Sequence, residues 1–347
     1  MADLTHISQT IKKIGPLLLI FSIIAVLVGI IVYRLTRGPE IKPPAPISPP
    51  IINQNPNQKQ PRNFDFSDAQ TEHIPETLPI YSIAPYSITE TTATTLASNL
   101  GFQGNPSSVK ENTLDGSEFN WNLDGSRLTI SQTNIEYRNS NDQSQNQATA
   151  TELSLDQLQE QINTFIRKIG LLGEDLKFQK TEFPIISEGL RTTANSFEEA
   201  QIVEFSYTKS LPSLPLVDNS PVTGFTTVRI TKKGKIIYLS SRFFDKFSEA
   251  STYKLKTAEE AEKEVQSGRG KIIQALLLNE SGQPVISYEH AINIEKASIK
   301  RISLAYFLPN DIKDTAQPVF VFEGIFKTNK NENGRIVIYL PAIKQTK

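Results

Sequence analysis

The sequence predicts an α+β protein: one N-terminal transmembrane helix, then repeated units in which a helix packs on an antiparallel sheet. Three observations lead there. Residues Ile14 to Tyr33 run for twenty positions with no ionisable side chain before the final tyrosine. Three capped, one-sided helical patterns follow further along the chain. Each is succeeded by strand-like runs broken at glycine turns.

The apolar stretch comes first. A helix of that length spans about 30 Å, the thickness of a bilayer's hydrocarbon core. Lys12 and Lys13 close one end, Arg34 and Arg37 the other, where long cationic side chains reach the headgroups. A buried core helix is the bland alternative, but helices of soluble proteins rarely run this long without a polar face. A cleaved signal peptide would be shorter and end in small residues, whereas Arg34-Leu35-Thr36-Arg37 follows here. The stretch reads as a retained anchor, with residues 1–13 as a cytoplasmic tail and the body outside the cytoplasm. That orientation rests on the short tail, the extended linker and the strand-rich polar body, because the flanking charges nearly balance.

Residues 34–62 carry eight prolines: Pro39, Pro43, Pro44, Pro46, Pro49, Pro50, Pro56 and Pro61. Proline fixes φ and removes backbone donors, so an extended linker is expected. Its limit is about 90 Å at ~3.1 Å per residue, enough for a stalk that lifts the body off a bilayer.

Three helix-plus-strand units follow, at residues 63–149, 150–250 and 251–347, with 150–347 alternatively one domain. Ser87-Ile88-Thr89-Glu90 has capping-box spacing and opens a helix whose stripe is Ile88, Ala93, Leu96, Ala97 and Leu100, stopped by Gly101. Strands are expected at Glu118–Asn122 and Arg127–Tyr137 around the hairpin signal Asp124-Gly125. Residues 139–149 read as a polar loop closing this unit. Ser154 and Gln157 open the second helix, with Leu158, Ile162, Phe165 and Ile166 on one face and Gly170 at its end. Strands follow at Leu176–Phe183, Gln201–Lys209, Gly224–Thr231 and Lys235–Ser241, with Lys233-Gly234 turning the last two. Pro212, Pro215 and Pro221 mark Leu211–Val222 as a projecting loop. The pattern changes at Glu249–Thr252. Thr257 and Glu260 open the third helix, ended by Gly268. Its strands are Ala297–Leu308, Pro318–Thr328 and Arg335–Leu340, the last pair turned at Asn333-Gly334.

Composition narrows the chemistry. There is no cysteine, which excludes disulfides, thiol nucleophiles and thiolate metal sites. Residues 1–62 hold seven Lys/Arg against two Asp/Glu, and the remainder 29 against 35. A mildly acidic body argues against nucleic acid as a partner, and the basic excess adjoins the membrane span. His6, His73 and His290 show no ligand spacing, so no metal site is expected. Gly268-Arg269-Gly270-Lys271 resembles a phosphate loop but lacks its glycine spacing and following Ser/Thr, and reads as a helix terminator. The carboxylate pairs Glu198-Glu199 and Glu259-Glu260 read as solvated faces, and Trp121 as core. No catalytic, cofactor-binding or metal-ligating residue is nominated. A carboxylate-based wall hydrolase is the enzymatic alternative.

The C-terminal runs Arg301–Phe307 and Pro318–Phe326 are apolar enough to be covered on both faces. Pro318-Val-Phe-Val-Phe-Glu-Gly324, with the Thr257 helix and its Gly268-Arg269-Gly270 end, resembles the closing part of YycH/YycI-type proteins, whose domains are similar to PepSY modules. The resemblance spans residues 80–347 in architecture and 255–325 in wording. It implies a bitopic, non-enzymatic regulator of a membrane sensor kinase. The expectation is therefore a single-pass membrane protein whose body binds another envelope protein, through an edge strand or the Leu211–Val222 loop. The alternative is a bitopic scaffold of cell division or envelope assembly. The bilayer is the other partner, no cofactor is expected, and homo-oligomerisation is left open.

Overall fold

The computed structural model of the chain describes residues 47–53, 59–84, 88–112, 116–139, 151–170, 176–187, 190–212, 214–219, 225–242, 246–280, 282, 284–285, 292–308 and 315–345. The expected span at 14–33 and the tail before it lie outside these residues. So do Ser87, residues 140–150, His6 and His290.

The chain begins with three strands, β1 (Asn63–Asp65), β2 (Gln70–Thr71) and β3 (Thr77–Ala84), then helix α1 (Glu90–Asn99). Four strands follow: β4 (Ser108–Asn112), β5 (Gly116–Leu123), β6 (Ser126–Ile130) and β7 (Asn134–Asn139). Helix α2 (Leu155–Lys168) leads into β8 (Leu176–Glu182), the hairpin of β9 (Pro184–Ser187) and β10 (Leu190–Thr193), and β11 (Ile202–Leu211). Next come β12 (Leu214–Val217), β13 (Thr226–Thr231), β14 (Ile236–Arg242) and β15 (Lys246–Lys254). Helix α3 (Ala258–Gln266) precedes β16 (Lys271–Leu278), β17 (Pro284–Val285), β18 (Ile294–Phe307), β19 (Thr315–Thr328) and β20 (Asn333–Pro341).

The expected fold class is corrected here. Strand dominates, and all strands but β9 and β10 join one mixed hydrogen-bonded network. Independent helix-on-sheet units are not formed, because strands pair across every expected seam. β7 pairs with β14, which fuses the strands after α1 and α2 into one antiparallel layer ordered β4-β5-β6-β7-β14-β13-β11-β8. The C-terminal layer runs β17-β16-β20-β19-β18. Along the outer edge of β18 lie β1, β2 and β12, all parallel to it. β12 also pairs with β11 and so ties the two layers together. β3 and β15 form a ribbon attached to the start of β19. Residues 46–347 accordingly form one compact unit. Among the described residues no helix is long and apolar enough to cross a membrane.

Local chemistry accounts for the elements. Ser154 accepts from the Gln157 N–H while the Gln157 side chain accepts from the Ser154 N–H; Thr257 and Glu260 repeat this capping box on α3. Helix α1 is capped by Thr89, whose hydroxyl accepts from Thr92 N at 3.2 Å, in place of the expected Ser87 box. Asp124 and Gly125 both take positive φ, as the two-residue turn between β5 and β6 requires. The expected strand Arg127–Tyr137 is broken into β6 and β7 by a turn in which Ser131 N donates to Asn134 O. At the last hairpin the positive φ falls on Asn331, not at Asn333-Gly334, which open β20. Gly334 serves packing there: a Cβ on it would overlap the Phe326 ring.

Two cores result. Ala93 and Ala97 of α1 and Leu158, Ile162 and Ile166 of α2 cover Phe119, Leu128, Ile135, Phe205, Val228 and Leu239 of the eight-stranded layer. Ala261 and Val265 of α3 cover Ile272, Ile302, Phe320, Phe322 and Ile338 of the C-terminal layer. The opposite face of that layer is apolar too, burying Ala305, Phe307, Val319 and Tyr339 under Ile52.

Candidate functional site

Among the described residues, concavities on the body and the two outer strands of the eight-stranded layer are places where it could meet another molecule. The described part of the Leu211–Val222 segment is not a projecting loop: it contains β12, built into the junction with Leu216 buried. Nor is the change of pattern at Glu249–Thr252 a seam; it is a bulge inside β15, paired to β3.

The first concavity, about 370 Å³, opens between the two layers. Lys180 of β8, Thr208 of β11 and Asp218 after β12 face Glu323 of β19 and Arg335 and Tyr339 of β20. Three of its charges are engaged within the protein: Lys180 with Glu182 at 2.8 Å, Asp218 with Arg242 at 3.2 Å, and Glu323 with Arg301 at 3.3 Å. Burial raises the Tyr339 hydroxyl above the ordinary tyrosine range, and the negative charges of Asp218 and Glu323 add to that effect. Gly324 belongs here for want of space, because a Cβ would sit 2.3 Å from the Ser298 carbonyl oxygen.

The second, about 760 Å³, is a groove beside α3. Among the described residues Lys256, Lys263, Arg269, Lys271 and Lys344 line it with two carboxylates, Glu260 and Glu264. Lys256 Nζ donates to Glu264 at 3.0 Å and to the Pro341 carbonyl at 2.8 Å. Arg269 approaches Glu264 at 3.6 Å and Lys344 pairs with Glu260. The hydrogen bond from Lys344, and then that from the Thr257 backbone N–H, hold the Glu260 carboxyl below its ordinary range. Pro49 forms part of the rim, and Gln345 Nε2 donates to the Ile47 carbonyl at 3.4 Å. The described part of the proline-rich linker therefore lies along the body instead of standing clear of it: Gln317 Nε2 donates to Ser48 O at 3.0 Å, and Ile52 is buried.

Two edges belong to the eight-stranded layer. Among the described residues β4 pairs only with β5 and β8 only with β11. Each exposes one large apolar side chain, Val109 at 47% and Phe178 at 45%. Phe178 stacks edge-on against Tyr207 with ring centroids 6.0 Å apart, which fixes its position on the strand.

The residues singled out in the sequence do not converge. His73, Glu198 and Glu199 are exposed, on separate segments. Trp121 is buried and its Nε1 donates to the Gly104 carbonyl at 3.2 Å. Gly268 takes φ +81° at the end of α3, where Gly268 N donates to Val265 O. Among the described residues no group of three His, Cys, Asp or Glu is placed to hold a metal ion. The basic groove was hidden in the sequence because its five cations are scattered from Lys256 to Lys344. Compared with known proteins, the chain matches no family model, and no curated protein matches it significantly.

Proposed function

We propose that this chain is a single-pass membrane-attached binding protein, not an enzyme, whose body takes up a segment of another envelope protein along the outer edge of β8. The membrane attachment rests on the apolar run Ile14 to Tyr33 and its cationic flanks. The observation that carries the binding reading is the β8 edge itself. Among the described residues no strand other than β11 pairs with β8, and Phe178 lies exposed on it, the combination used when a partner strand adds to a sheet. Lys177 and Lys180 on the same strand guard it against pairing with a second copy. The resemblance of residues 255–325 to YycH/YycI-type proteins makes a membrane sensor kinase the partner to look for first.

A photo-crosslinking residue at Phe178 of the full chain, in its own membranes, tests this. The expected result is one discrete adduct with a membrane protein. It should be lost in a chain carrying Lys180→Pro and absent when the probe sits at the equally exposed Leu123. The same diffuse products from both positions would overturn the edge as a docking site. An adduct with a division or wall-synthesis protein would replace the kinase by a scaffold role.

A further inference from the structure

We infer that the groove beside α3 seats anionic lipid headgroups and holds the body against the bilayer to which the chain is anchored. This deepens the membrane-attached reading above and rests on it. Three observations combine. The groove's lining carries five cations against two carboxylates, in a body where residues 63–347 hold 29 Lys/Arg against 35 Asp/Glu. Of those cations Lys263 and Lys271 lie exposed, and Lys344 remains half-exposed beside Glu260. The acidic side chains Glu259 and Glu262 of α3 are not among the lining residues.

The tether is the second observation. The chain reaches the body at the groove's own rim, through Ile47 and Pro49. Residues 34–46 are all that separate Tyr33 from Ile47. A fully extended chain of that length limits the distance from the anchor's end to the groove to about 50 Å. The third is shape. A volume of about 760 Å³ open to solvent admits a phosphodiester headgroup, and its floor is apolar at Leu340, Pro341 and Ile343. Cations at such a surface gain from the negative potential of anionic lipids within a Debye length, about 10 Å at 0.1 M salt.

The test uses the full chain in nanodiscs of phosphatidylcholine, with and without phosphatidylglycerol, and reads lysine acylation by mass spectrometry. Lys263, Lys271 and Lys344 should acylate about five-fold more slowly in the anionic discs, the factor that one charge at a membrane surface is worth. Lys110 on β4 should label equally in both. High salt should remove the difference. In the variant Lys263→Glu/Lys271→Glu, protection of Lys344 should be lost while Lys110 is unchanged, which also reports that the body is folded. Equal labelling in both discs overturns the inference and leaves the anchor standing. A chain that enters neither disc overturns the membrane attachment itself. Protection by soluble polyphosphate, without any response to phosphatidylglycerol, assigns the groove to a soluble anion and overturns the lipid.

Discussion

Arg229 of β13 donates from Nε to Glu204 of β11 at 2.6 Å, and the carboxylate it reaches has no exposed surface. The pair lies in a cross-strand row on the face turned away from α1 and α2. Arg138, Tyr238, Arg229 and Glu204 follow one another across four strands. Arg138 and Arg229 both stand over the Tyr238 ring, at 5.7 and 4.6 Å from its centroid. Because Arg138 belongs to β7 and Tyr238 to β14, the row crosses the line where the two strand sets fuse. Charge and aromatic contact thus reinforce the backbone pairing that makes them one layer.

Replacing Arg229 by Met keeps much of the side-chain bulk but removes the cation from a buried carboxylate. Stability should fall by about 3 kcal/mol, as when one partner of a buried ion pair is lost. Urea unfolding followed by the fluorescence of Trp121, the sole tryptophan, reads this directly. The double variant Arg229→Met/Glu204→Leu should recover most of the loss. Equal loss in single and double variants would place the effect in packing on Tyr238 instead.

Much of the β-structure was legible because its signals are local. Alternation between Val203 and Tyr207, or Val228 and Ile230, marks residues that do face the helices. The Ser154 and Thr257 boxes are self-contained, so they were read correctly. What local patterns do not encode is which strand sits beside which. The pairing of Glu136 with Ser240, or of Leu216 with Tyr306, joins residues about ninety or more apart. Those contacts decide between separate units and one mixed network. Little marks β15, which is exposed along most of its length, or β16, whose Ile272-Ile273 and Leu276-Leu277-Leu278 show no alternation. Prolines near Ile52 signal an extended backbone, but not the apolar surface that the segment lies on.

Tyr207 is buried and donates from its hydroxyl to Asn163 Oδ1 at 2.8 Å. Burial pushes its pKa up to about 12, and burial also raises those of Tyr306 and Tyr339. Each group is protonated in folded and unfolded chains below the ordinary tyrosine value, so its stabilising contribution is intact there. Above it the unfolded chain ionises first, and stability falls as pH rises toward the folded values. The expected slope between pH 10 and pH 12 is about 1.4 kcal/mol per pH unit for each tyrosine. Tyr207→Phe should remove one such increment from the slope of denaturant midpoint against pH. An unchanged slope would mean that Tyr207 ionises freely in the folded chain.

Gly324 faces Ile299 at a point where the β18–β19 register shifts. An alanine there would press its Cβ onto the Ser298 carbonyl and Ile299 Cα, backbone atoms that cannot swing aside. Gly324→Ala should lower stability by about 2 kcal/mol, and thermal unfolding followed by circular dichroism measures it. Gly282→Ala is the contrast: its Cβ would meet nothing within 4 Å, and its cost is confined to the positive φ of 76°.

Ile52 supplies a buried apolar part of the linker's hold on the body. Ile51 is 73% exposed and Ile52 only 8%, packed with Phe307, Val319 and Tyr339. Removing three carbons from Ile52 leaves a cavity over the C-terminal layer, and Ile52→Ala should cost about 2 kcal/mol of local stability. Hydrogen exchange at residues 47–53 should then accelerate, and a protease should cut there first. Ile51→Ala, which removes the same atoms from solvent, should change neither. If the two variants exchange alike, the segment is held by its hydrogen bonds with Gln317, Gln345 and Asn219, and shortening those side chains becomes the way to free it.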